Sequence, residues 1–144
     1  MKRLAGRIAV GSPVEATDLK TNLKSTLFTV DAMFKYRGFS TTGMFAWGEV
    51  EPQVTNPSYD RQGWFIQAGY FLKPDRWEIA ARYGENNPNK DVSDNKISEV
   101  RGGINWFYAK HAFKVQADFG QIKTETSSGE RKNNELRIQT QFIF

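Results

Sequence analysis

The chain has 144 residues, a net charge of +4 and no cysteine. One domain is the expectation at this length, and disulfide frameworks, thiolate nucleophiles and cysteine metal sites are excluded. Mean hydropathy is −0.60 and no run of about 18 apolar residues occurs, which excludes a transmembrane helix but not a membrane strand, because in a barrel only alternate residues face lipid.

Period-2 alternation predicts strands over 3–10, 25–36, 39–49, 62–72, 76–84, 96–108, 112–122 and 134–144. Most approach the roughly 9–11 residues that a tilted strand needs to cross a bilayer. Met1-Lys2-Arg3-Leu4 carries the basic start of a signal peptide without the apolar stretch that should follow, so either a mature and re-initiated chain or a fragment is expected. The first strand sets Leu4, Ile8 and Val10 against Ala5, Arg7 and Ala9. In the link 11–24, Val14, Leu19 and Leu23 loosely follow helical spacing and suggest a helical turn over 14–24. The second strand sets Phe28, Val30, Ala32, Phe34 and Tyr36 against Asp31, Met33 and Lys35. After a tight Arg37-Gly38, the third sets Phe39, Phe45 and Trp47 against Ser40, Thr42, Met44 and Ala46.

Beyond the link 50–61, the fourth strand sets Trp64, Ile66, Ala68, Tyr70 and Leu72 against Phe65, Gln67, Gly69 and Phe71. Lys73-Pro74-Asp75 turns into the fifth, with Trp77, Ile79, Ala81 and Tyr83 against Glu78, Ala80 and Arg82. After the link 85–95, the sixth sets Val100, Ile104, Trp106 and Tyr108 against Glu99, Arg101, Gly103, Asn105 and Phe107. Ala109-Lys110-His111 leads to the seventh, with Phe113, Val115, Ala117 and Phe119 against Lys114, Gln116 and Asp118. The link 123–133 precedes the last strand, with Leu136, Ile138, Phe142 and Phe144 against Glu135, Arg137, Gln139 and Gln141.

Links alternate long and short, as in outer-membrane barrels with short periplasmic turns and long outer loops. The predicted fold is therefore all-β: an eight-stranded antiparallel transmembrane β-barrel, an up-and-down meander forming a single domain over 1–144. A soluble small-ligand carrier would turn the apolar faces inward. Inversion is favoured because those faces hold too many large aromatics for the interior of eight strands, which just admits side chains. The charged faces are near-balanced and interspersed with small residues. The expected lumen thus carries basic Arg7, Lys35, Arg82, Arg101, Lys114 and Arg137 and acidic Asp31, Glu78, Glu99, Asp118 and Glu135. Aromatic girdles are expected from Tyr36, Tyr70, Trp77, Trp106 and Tyr108 near the short turns and Trp47, Trp64 and Tyr83 near the long loops. Phe142 and Phe144 close the chain with the pattern of a terminal barrel strand, through which the barrel-assembly machinery is the expected partner.

Catalytic chemistry has little to stand on. The single histidine, His111, falls in a predicted turn, and neither a triad nor a histidine metal site can be built from it. Glu85, Asp91 and Asp94 lack the spacing of a calcium loop, and Gly102-Gly103 lies within a strand rather than a phosphate loop. No enzyme, metal or cofactor is expected. Lys and Arg are dispersed along the chain, which speaks against nucleic acid as a partner.

Several stretches carry a family resemblance: Gly63 to Gly84 (G-W-F-I-Q-A-G-Y-F-L-K-P-D-R-W-E-I-A-A-R-Y-G), Arg101 to Tyr108, Lys114 to Phe119, the terminal R-I-Q-T-Q-F-I-F, and Asp31 to Ser40. Over roughly 25–144 the chain resembles the C-terminal part of the phosphate-selective porins of type O and P. The resemblance implies a bacterial outer-membrane location, lipid or detergent as surroundings, and passive anion permeation past lumen Lys and Arg. Those porins have sixteen strands and are trimeric, whereas this chain holds about eight. A homo-oligomer is one expectation, and a side-chain-plugged, non-conducting scaffold is the alternative for a closed ring of eight.

Overall fold

The computed structural model describes residues 5–18, 23–52, 57–74, 76–108 and 113–142. These form eight strands: β1 (Ala5–Asp18), β2 (Leu23–Tyr36), β3 (Phe39–Pro52), β4 (Tyr59–Lys73), β5 (Trp77–Asn87), β6 (Ile97–Phe107), β7 (Phe113–Thr126) and β8 (Gly129–Phe142). They build one antiparallel sheet in chain order, each strand paired with its sequence neighbour.

The two-fold alternation of side chains decides the faces. Along β5 and β6, Trp77, Ile79, Tyr83, Val100 and Ile104 are exposed, while Glu78, Ala80, Arg82, Arg101 and Gly103 between them are half-buried and Asn105 is buried. The charged-and-small set therefore lines the concave side, where Val50, Asn105 and Phe107 are the most enclosed large side chains. The convex side presents the aromatic and aliphatic set. From Phe39 to Trp47 this apolar band covers about nine residues at roughly 3.4 Å each. That is roughly 23 Å of height at a tilt of about 40°, close to the roughly 25 Å band of a membrane barrel.

Turn chemistry fixes the short links. Arg37 and Gly38 both take positive φ, 47° and 84°, the conformation of a two-residue turn whose twist matches that of its strands. A glycine is suited to the second position because the left-handed region suits no side chain there. The Phe71 amide donates to the Gly38 carbonyl at 2.9 Å, tying this turn to β4. The turn after β4 is closed by the Arg76 amide donating to the Lys73 carbonyl at 3.0 Å. The Ala109-Lys110-His111 link lies outside the described residues.

The all-β antiparallel meander of eight strands is as expected, and two expectations are corrected. No helical turn forms over the described part of 14–24; β1 continues to Asp18, with its register to β2 shifting between Gly11 and Val14. Pro13 falls in that irregularity on an edge strand, where a missing amide donor is tolerated. The link 123–133 is strand almost throughout, because β7 and β8 stay paired out to Thr126 and Gly129 and reverse through Ser127-Ser128. Beyond the lipid band neither face needs to be apolar, so this ladder leaves no greasy signature. The links 50–61 and 85–95 are likewise shortened by β3, β4 and β5. A β1–β8 pairing is not among those of the described residues. Among the described residues β1 pairs only with β2 and β8 only with β7, and the edge side chains Ile8, Val10, Leu136 and Ile138 are 68–77% exposed.

Candidate functional site

The concave face divides into a paired and an unpaired region. Register places Arg101 of β6 between Arg82 of β5 and Gly120 of β7, and Gly120 opposite Glu135 of β8. Two guanidinium groups directly opposite each other repel, and the two turn apart. Arg101 turns toward β7 and β8, donating from Nε to Glu99 at 2.6 Å, from Nη2 to Glu135 at 2.7 Å, and from Nη1 to Asp118. Arg137 donates from Nε and Nη2 to the same Glu135, at 2.9 and 2.7 Å. Three carboxylates thus face two guanidiniums, leaving one net negative charge. Gly120 makes the room: a Cβ there would stand 2.9 Å from the Arg101 guanidinium carbon.

Arg82 turns the other way, its guanidinium carbon 4.2 Å from the centre of the Phe65 ring on β4. A pairing of Arg82 and Lys114 with carboxylates, as a plugged interior would require, does not form among the described residues. The Lys114 ammonium lies 5.2 Å from the Phe107 ring centre, and Glu78 accepts from Asn105 Nδ2 at 2.9 Å. Like-charge repulsion at Arg101 and the nearby aromatic faces explain both departures. Arg7, Asp31 and Lys35 have no ion pair among the described residues. Lys35, Lys114, Glu78 and Gln141 nevertheless border one cavity of about 460 Å³ at the short-turn end, so the sheet curls until β2 and β8 look onto a common space.

Arg61 is not among the expected lumen residues because it falls in the link 50–61. Its signal was parity: it alternates in step with Gly63, Phe65 and Gln67. It lines a cavity of about 380 Å³ together with Arg82, and its Nε is buried without a hydrogen-bond partner among the described residues.

On the convex face the aromatics form two rows. At the short-turn end Trp77 and Trp106 are 6.0 Å apart between ring centres, Trp106 and Phe113 6.1 Å, and Phe113 and Phe142 4.8 Å, with Tyr36, Tyr70 and Tyr108 exposed in the same zone. At the other end Trp47 stacks on Phe28 at 5.3 Å and Trp64 meets Tyr83 at 5.5 Å. Tyr83 donates to Glu85 at 2.6 Å, and Lys96, just outside β6, bonds the same carboxylate at 2.8 Å. That hydrogen bond raises the Lys96 ammonium above its ordinary pKa. Phe144 lies outside the described residues.

A sheet greasy outside and charged inside can line a polar path through a lipid layer. Among known families, the sequence model of the phosphate-selective porin O and P family matches residues 12–144. No curated protein and no solved structure matches the chain.

Proposed function

Because the chain belongs to the phosphate-selective porin O and P family, we propose that it forms part of an outer-membrane channel wall and passes anions passively along its concave face. The family is one of channels rather than enzymes and points to the bacterial outer membrane. The observation that carries the reading is the separation of faces: exposed Trp77, Ile79, Tyr83, Val100 and Ile104 alternate with Glu78, Arg82 and Arg101 on adjoining strands.

Width follows from the edges. Unpaired amides and carbonyls in hydrocarbon cost several kcal/mol each, so β1 and β8 call for further strands, from a second copy or another stretch of barrel. A ring wider than eight strands leaves room for water over Arg82, Lys35 and Lys114. The second reading, a plugged scaffold, draws on the Arg101 cluster, whose guanidiniums are satisfied internally. Planar-bilayer recordings of the refolded chain under a salt gradient separate the two. A reversal potential of anion-selective sign supports permeation, while absence of current from a folded, inserted protein, or cation selectivity, defeats it.

A further inference from the structure

We infer that a second copy of this chain completes the ring: β8 of each copy pairs antiparallel with β1 of the other, through two identical seams. The inference rests on the channel-wall reading and deepens it by naming what covers the open edges.

One residue type measures how bare those edges are. Ile66, Ile79 and Ile104 sit on the convex face of strands paired on both sides and are 40–52% exposed, whereas Ile8 of β1 and Ile138 of β8 are 77% and 72% exposed. Among the described residues no strand pairs with the outer flank of either edge, and hydrocarbon gives the amides and carbonyls there no partner.

Self-closure is the competing solution, and charge opposes it. Among the described residues the ion pairs of the concave face all lie in the cluster of Glu99, Arg101, Asp118, Glu135 and Arg137. Asp31, Glu78 and the single excess negative charge of that cluster do not balance Arg7, Lys35, Arg61, Arg82 and Lys114 on the same face. Side chains fill the interior of an eight-stranded ring. A closed monomer would therefore bury cations without counter-charge, which is costly. Doubling the strand count lets water reach them.

Orientation selects the seam. Both copies insert with their short turns on one side of the membrane. β1 leaves that side, with Ala5 level with Lys35, and β8 returns to it, with Phe142 level with Phe113. A seam of β1 with β1, or of β8 with β8, would then be parallel. A seam of β8 with β1 is antiparallel, like every other pairing in the sheet. Two such seams about a two-fold axis along the membrane normal close the ring and leave no edge. The faces also match. Ile8 and Val10 continue the lipid face of Leu136 and Ile138, and Arg7, which has no ion pair among the described residues, joins the concave face on which Glu135 sits.

The chain has no cysteine, so every engineered thiol is unique. Ile8→Cys copies are co-refolded in lipid vesicles with copies carrying Leu136→Cys, Ile138→Cys or Thr140→Cys, and then oxidised. A disulfide between unlike copies at one or two of these three positions, running as a dimer, is expected, because bridging needs Cβ atoms about 4 Å apart. Gln139→Cys, on the other face, should cross-link less. A chain carrying both thiols of the matching pair should give dimers closed by two disulfides. A disulfide within one chain, Ile8→Cys copies that link to each other as readily, trimers, or no link at any of the three positions would overturn the inference. Wild-type protein gives a reading that no folding defect can spoil. In a mixture of isotope-labelled and unlabelled copies, NMR contacts from Ile8 to Leu136 or Ile138 should run between copies; contacts confined to one copy overturn it. Cation-selective current from the cross-linked dimer sinks the anion-permeation reading and leaves the seams standing. Anion-selective current from an internally linked monomer sinks the second copy alone.

Discussion

Arg101 is the residue on which most of the concave chemistry converges. Its side chain is 10% exposed and its three carboxylate partners are 27–39% exposed. Removing one member of a buried pair costs roughly 3–5 kcal/mol, and exposed pairs count for far less. Arg101→Gln should therefore destabilise the sheet by about 2–3 kcal/mol, measured by urea unfolding in lipid vesicles. No loss there would mean that water already screens the cluster. Gly120→Ala tests the same cluster sterically. The added Cβ would displace the Arg101 guanidinium, the free end of a flexible side chain, so Gly120→Ala should cost less than Arg101→Gln in the same assay. A larger loss would contradict this.

At the scale of the strand, the prediction concerns which side meets lipid. Ile138 of β8 sits mid-band on the convex face, paired with Ala117 and in line with Ile104. An arginine there should cost roughly 2–4 kcal/mol in a bilayer, falling toward zero near the interfaces. Equilibrium unfolding in vesicles, with Lys123→Arg as the control beyond the band, measures it. Equal costs at 138 and 123 would contradict the face assignment. The β7–β8 hairpin makes the contrast sharp. Outward of Phe119 and Leu136 its convex side turns polar, through the Gln121–Asn134 hydrogen bond at 3.0 Å and the Lys123–Glu130 pair at 2.7 Å. This part of the ladder stands in water. Gly38→Ala probes a different element, the turn between β2 and β3. With φ at +84° the substitution should cost about 1 kcal/mol, read by the same unfolding assay.

For the whole molecule, much was legible because lipid imposes a strict alternation. The apolar sets from Phe28 to Tyr36 and from Trp64 to Leu72 announced their strands, their face and their order. Signal vanished where lipid stops. Gly11 to Asp18, Thr124 to Thr126 and Gly129 to Arg131 are strand without a greasy face, and the pairing partner rather than the pattern holds them extended. The grouping of Arg101 with Glu99, Asp118 and Glu135 could be expected from facing parity. Which arginines stay unpaired could not, since that depends on Arg82 and Arg101 standing directly opposite. Nor could the open edges be read, because alternation says what a strand faces and not whether its flank is covered. Those edges predict that the isolated chain in detergent forms species larger than a monomer. Size-exclusion chromatography with light scattering checks this; a stable monomer with protected β1 and β8 amides would show that the ring closes at eight.

Alternation has one further blindness, and the Arg101 cluster corrects it. Sliding a strand by one residue exchanges its faces and is forbidden by lipid, but sliding by two restores every greasy residue to lipid and costs the hydrophobic pattern little. Such a slip of β8 along β7 would carry Glu135 away from Arg101 and Arg137 away from Asp118. One guanidinium bonded across β6, β7 and β8 therefore favours this register over the even-numbered misalignments that the greasy pattern alone does not tell apart.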